Sequence, residues 1–149
     1  MAIVLLRGPE SVAGHRGRPA RIAAPVMTHL LDHAGRAGKS LAVRSCASER
    51  ELLQALTQAD RSGVEVLLLD PGACSDSAAT AAAVAQLQRP YVEVHDDTCD
   101  CREPCLRTAS PQRLGQVGGD CAKGYALALS IALEHLGYHG DEGDVHVGP

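Results

Sequence analysis

Apolar and polar positions fall along the chain in blocks that switch between two periods. Ile3–Leu6 is an unbroken apolar run that meets Arg7-Gly8-Pro9, the pattern of a strand buried on both faces and stopped by a turn. Glu10–Ala24, with its Gly, Pro and Arg, predicts a long basic loop of the kind that serves as a lid or stays unstructured. Pro25 suits a first helical turn. After it Val26, Met27, Leu30, Leu31 and Ala34 recur at helical spacing until Gly35 or Gly38. Leu41–Val43 is a short second strand. Ser48-Glu49-Arg50-Glu51 is a capping box, followed by a stripe of Leu52, Leu53, Leu56 and Ala59 that Gly63 closes. Val64–Leu69 is a third strand, ending at Asp70-Pro71-Gly72-Ala73. Asp76 or Ser77 caps an Ala-rich helix from about Ala78 to Leu87, which Arg89-Pro90 stops. Tyr91–His95 is a fourth strand. Asp96–Gly119 reads as irregular, with a short strand near Gln116-Val117. Cys121–Leu136 is a last helix facing inward with Tyr125, Leu129, Ala132, Leu133 and Leu136.

Strand and helix thus alternate four times before a weak fifth strand and a final helix. That order predicts an α/β fold: a five-stranded, doubly wound parallel sheet with right-handed crossovers and helices on both faces, in three layers. Residues 1–137 form one domain in this reading, and 138–149 a polar, frayed tail. In such sheets ligands bind outside the carboxyl ends of the strands. Arg7–Glu10, Asp70–Cys74 and His95–Cys99 all follow strands and are expected to meet in one crevice.

Composition narrows the function. Apolar residues make up 45% of the 149, which argues against disorder and for one packed domain. Aromatics are 2%, with no Phe or Trp, so nucleic acid would find almost no stacking platform. A net charge of −4 gives no general basic face for phosphate backbones. No apolar run approaches the ~20 residues of a membrane span. The first residues carry no basic n-region and too short an apolar run for a signal peptide, so a cytoplasmic location is expected. The 6 Cys then read as thiols.

Candidate chemistry lies at the strand ends. In Glu93-Val94-His95 the period of two puts carboxylate and imidazole on one side of a strand, where the carboxylate fixes the tautomer of a potential general acid. A purely structural contact has the same spacing. Gly8-Pro9-Glu10 and Asp70-Pro71-Gly72-Ala73 are turns that can present backbone N–H groups to an anion, or are turns and nothing more. Neither Gly-x-Gly-x-x-Gly nor a Walker loop is present. Cys99, Cys101 and Cys105 form Cys-x-Cys-x3-Cys without a second pair; His95, Cys99 and Asp97 would be the first ligands if a metal bound. Small buried thiols are the main expectation, and neither metal nor cofactor is expected.

The ordered set Ile3-Val4-Leu5-Leu6-Arg7-Gly8-Pro9, Asp70-Pro71-Gly72-Ala73, Val92-Glu93-Val94-His95, Arg102-Glu103-Pro104 and Gly124-Tyr125-Ala126-Leu127-Ala128-Leu129 resembles the type II 3-dehydroquinate dehydratases over about residues 2 to 137. The resemblance implies a flavodoxin-like sheet, a trimer or a dodecamer of trimers, a small-molecule substrate, a place in the shikimate pathway and no cofactor. It implies dehydration through an enolate: a lid Tyr abstracts the proton, a lid Arg assists it, and a Glu–His pair protonates the leaving hydroxyl. On this likeness His95 is the general acid and Glu93 its partner. Arg16 is the lid Arg, and Arg102 belongs to the Arg-Glu-Pro motif.

Several positions depart from the pattern. The Asn after Gly-Pro is Glu10, a substitute base in this reading, and the turn Asn is Asp70, an acceptor-only carboxylate. Arg21 stands near the place of the lid Tyr. Asp76 replaces a substrate-binding His and Asp97 a Ser, while Arg107 lies beside the position of a substrate-binding Arg. Glu10, Asp70, Asp76, Asp96 and Asp97 would crowd one crevice with carboxylates. At ~4 Å and an effective dielectric near 20, each such charge repels an anionic substrate by up to a few kcal/mol. Three readings stay open: a lyase of this type, on dehydroquinate or a less anionic molecule; an inactive binding or assembly protein; and a metal- or thiol-dependent enzyme on the same scaffold.

Overall fold

The structure, a computed structural model, describes residues 2–12, 15–96, 110–119 and 121–138. Its main sheet has five parallel strands in the order β4-β1-β5-β6-β7: β1 (Ala2–Arg7), β4 (Ser40–Ser45), β5 (Val64–Asp70), β6 (Tyr91–Asp96) and β7 (Arg113–Gly119). Helices α1 (Ala24–Arg36) and α4 (Cys121–His135) cover one face, α2 (Glu49–Arg61) and α3 (Ala78–Ala85) the other. Successive strand residues feed the two cores alternately. Leu5, Leu68, Val92 and Val94 join Leu30 and Leu129 under α1 and α4. Leu6, Leu67, Leu69 and Tyr91 join Leu52, Leu56 and Val84 under α2 and α3. Each fully buried Leu stabilises the fold by about 1.5–3 kcal/mol, which is why the central strands read as continuous apolar runs.

The sheet grows from β1 in both directions, to β4 on one side and β5 on the other. The carboxyl ends of β1 and β5 therefore form the switch point, with Arg7 and Asp70 in register. There the turns after the two strands touch. Gly8 N–H donates to Asp70 O and Ala73 N–H to Pro9 O, at 2.6 and 2.8 Å. A Cβ on Gly8 would collide with the Pro71 carbonyl. One on Gly72, at φ +56, would lie 2.6 Å from Pro9 O, so both turns need glycine.

Several expectations change. Glu10–Ala24 is not a plain loop: β2 (Glu10–Val12) and β3 (His15–Gly17) pair antiparallel as a hairpin. Three-residue strands are too short to show a period, so the sequence hid them. β7 is seven residues, longer than its glycines suggested, because pairing with β6 holds it. Ser77 caps α3, accepting from Thr80 N–H. Ser48 caps α2, but Glu51 reaches back to Ala47 N–H rather than to Ser48. α2 ends at Arg61 with Ser62 as its C-cap, so Gly63 closes it as expected, whereas α3 ends at Ala85, short of Leu87.

Candidate active site

On β6 the alternation sends Val92 and Val94 under α4, close enough that a Cβ on Gly124 would lie 3.2 Å from Val94 Cγ1. Tyr91, Glu93 and His95 consequently project to the α2–α3 side. Glu93 is 0% exposed and His95 3%, and Glu93 Oε2 lies 2.6 Å from His95 Nε2. At this distance a hydrogen bond joins the two groups; with Nε2 protonated the carboxylate accepts it, and the contact fixes the ring's orientation. Nδ1 is then the ring nitrogen not taken by Glu93. Leu69 of β5 and Gln116 of β7 flank Glu93, and Gly118 stands opposite His95. Burial, then the Glu93 carboxylate, push the Tyr91 phenol above its usual range.

A second polar cluster occupies the other face. Arg7 and Tyr125 are 5% and 1% exposed. Arg7 Nε donates to the Tyr125 hydroxyl at 2.9 Å, and that hydroxyl donates to Asp70 Oδ2 at 2.5 Å. Asp70 Oδ1 accepts Gly72 N–H at 3.2 Å. Arg7 Nη1 also reaches Ala20 O at 2.6 Å and Ser45 Oγ at 3.3 Å. Burial, then the Asp70 carboxylate, hold the Tyr125 phenol protonated far above the ordinary tyrosine range. It is a donor here, unsuited to abstracting protons.

The ends of β1 and β5 meet and β6 runs beside β5, with residues 97–99 of the third expected segment outside the described residues, and the side chains at these ends divide between two faces. Asp70 points toward α4 and is bridged to Arg7 through Tyr125, while His95 points toward α2 and α3. Asp70, expected among the carboxylates facing a ligand, instead has internal donors on both oxygens. Glu10 opens β2, half-buried, opposite Gly17. Arg16 pairs with Ser11 in the hairpin backbone, and Asp96 ends β6 opposite Gly119. Arg21 and Asp76 are exposed. Asp97, Arg102, Arg107, Cys99, Cys101 and Cys105 lie outside the described residues. Cys46 and Cys74 are buried thiols, and burial raises the Cys46 pKa. Among the described residues no three His, Cys, Asp or Glu cluster as metal ligands. Arg7 was expected only as part of a strand-end turn and Tyr125 only on an apolar helix face; that the two are buried and hydrogen-bonded to each other was not. The available signal was a guanidinium ending an apolar strand, since a buried Arg requires partners.

This topology, with a carboxylate–imidazole pair at the end of its fourth sheet strand in chain order, defines a flavodoxin-like α/β protein with potential acid–base chemistry. Residues 1–133 match the family Dehydroquinase class II, and the chain belongs to that family. It is 33% identical over 141 residues to the 3-dehydroquinate dehydratase of Pseudomonas savastanoi pv. phaseolicola, covering 90% of this chain and 94% of that one. To the enzyme of the same name from Alkalilimnicola ehrlichii it is 34% identical over 92 residues, which span 60% of this chain and 60% of that relative's length. The type II dehydroquinase structure from Propionibacterium acnes superposes with a TM-score of 0.66 at 26% identity, covering 89% of this chain and 96% of that one.

Proposed function

We propose that this protein is a hydro-lyase of the 3-dehydroquinate dehydratase type in which His95, held by Glu93, is the general acid. The observation that carries this is the 2.6 Å contact between His95 Nε2 and Glu93 Oε2 in a dry setting at a strand's carboxyl end. With Nε2 bonded to the carboxylate, a proton reaches the leaving hydroxyl through Nδ1. The carboxylate stabilises the imidazolium that forms on recharging. Arg16, on the hairpin, assists proton removal, and Glu10, at the hairpin's foot, takes the place of the family's base. Arg102, Arg107, Arg21, Asp76, Asp96 and Asp97 contact the substrate or close the site. The internal pairing of Asp70 removes one of the charges that would repel an anion, which supports dehydroquinate as substrate. The protein works in the cytoplasm as a homo-oligomer, a trimer or a dodecamer of trimers. Native mass spectrometry is expected to give three or twelve times the 15.6 kDa chain.

Formation of the enone product from 3-dehydroquinate tests the reading. The wild type is expected to turn over, and His95→Asn to lower kcat by about 10²–10⁴-fold, the usual contribution of a positioned acid–base group. Absence of turnover at high enzyme concentration would sink it. One observation favours a second reading, an inactive binding protein: Arg21, near the place of the lid Tyr, is exposed and cannot act as a neutral-pH base. Ligand binding without turnover would select that reading.

A further inference from the structure

We propose that Arg7 is a positioning residue: its buried guanidinium tethers the foot of the β2–β3 hairpin to the carboxyl end of the sheet and balances Asp70. The functional half rests on the lyase reading above; the tether itself does not.

The observations are the geometry of one side chain. β1 runs Ile3-Val4-Leu5-Leu6 and then places a guanidinium where only 5% of the residue meets solvent. That group reaches acceptors on three separate pieces of chain. Nε binds the Tyr125 hydroxyl of α4, and Nη1 binds Ser45 Oγ at the end of β4 and the Ala20 carbonyl just beyond the hairpin. The 2.6 Å bond to Ala20 lies three residues past the end of β3. The hairpin's other foot is already fixed, because Gly8 and Pro9 bond to the turn after β5. Arg18, next to the hairpin, adds outer contacts to Ser45 O and Glu51. The Glu51 contact is exposed on both sides, where an ion pair contributes little. Arg7 is therefore the buried polar fastening on the exit side among the described residues, beside the apolar packing of Pro19 and Ile22.

An apolar side chain could fill this volume, so packing alone does not call for Arg. What Arg supplies is a planar fork with donors in fixed directions, which a lysine cannot copy. Glu10 and Arg16 sit on the element it fastens. Catalytic groups must be held within a fraction of an ångström to be effective, so the tether acts on catalysis without touching substrate.

Amide hydrogen exchange separates the tether from the charge balance. Arg7→Met leaves Asp70 without its counter-charge, whereas Arg7→Met with Asp70→Asn removes both charges and keeps the interior neutral. Circular dichroism and thermal melting check folding of each. In the double variant, exchange of amides from Glu10 to Ile22 is expected to rise at least tenfold, with those of β5 and β6 unchanged. Arg7→Lys, which keeps the charge and loses the fork, is expected to raise the same amides by a smaller factor. If the wild type turns over dehydroquinate, kcat should fall in all three variants more than KM rises, since the loosened segment carries Glu10 and Arg16 but, of the proposed substrate contacts, only Arg21. Wild-type exchange across Glu10–Ile22 in folded Arg7→Lys and in the double variant would overturn the tether. Raised exchange in a protein without turnover would keep it and reject only the lyase reading. If the double variant does not fold, Arg7→Lys decides the tether alone.

Discussion

At the scale of single residues the two buried polar groups make separate predictions. Glu93 has no exposure, and its Oε1 finds no hydrogen-bond donor among the described residues, so its one close partner is the His95 ring. Removing one member of a buried pair strands the other, at a typical cost of 3–5 kcal/mol. Glu93→Ala is expected to lower the urea midpoint accordingly, with Glu93→Gln less damaging because the amide still offers an acceptor to Nε2–H. Tyr125 gives a clearer sign. Its folded-state pKa lies above the unfolded value of about 10, so the folded protein holds the proton more tightly. Stability is full below pH 10 and falls as pH rises beyond it, by about 1.4 kcal/mol per pH unit for such a group. Tyr91, shifted in the same direction, adds to the slope. Urea midpoints measured from pH 8 to 11 should fall most steeply in the wild type, and Tyr125→Phe should flatten the curve. The same variant should cost about 1–3 kcal/mol at pH 7, because Asp70 loses its phenolic donor.

At the scale of elements, local chemistry and pairing divide the control. Ser48 and Ser77 cap their helices by accepting from the N3 amides, a rule written in the sequence. Ser48→Ala is expected to cost about 1 kcal/mol by thermal denaturation, without touching turnover. The crossing of the two turns at the switch point is less forgiving. Gly72 combines a φ of +56° with a carbonyl where a Cβ would sit. Gly72→Ala should therefore destabilise by about 1–3 kcal/mol and displace Asp70, which accepts the Gly72 amide. The hairpin and β7 illustrate the limit of local reading. Their residues show no usable period, and both are strands because a neighbouring strand pairs with them.

At the scale of the whole molecule, the sheet acts as a partition. Leu68 and Leu69 are adjacent and buried in opposite cores, and Leu69 is in register with Glu93. Truncation to Ala should cost each about 2–5 kcal/mol, as for any buried Leu. Only Leu69→Ala opens space beside Glu93, so only it should also lower kcat or shift its pH profile. Equal effects on catalysis would mean that the pair is not held by its own side of the sheet. The partition also divides charge: Asp70 is balanced on the α4 side and has no need of the carboxylate-binding groups sought at the ligand crevice.

The sequence by itself determined the order of the five main-sheet strands and the four helices, the parallel sheet with helices on both faces, the Ser48 cap of α2 and the contact of Glu93 with His95. Each follows from spacing of two or 3.6 residues, or from contacts a few positions apart. Only the tertiary structure decided that Arg7, Tyr125 and Asp70 form one buried network, since their separations in sequence reach 118 residues and no local rule connects them. It also decided that Asp70 and His95 leave the sheet on opposite faces. That depends on the register of β1, β5 and β6, which long-range pairing sets and composition does not.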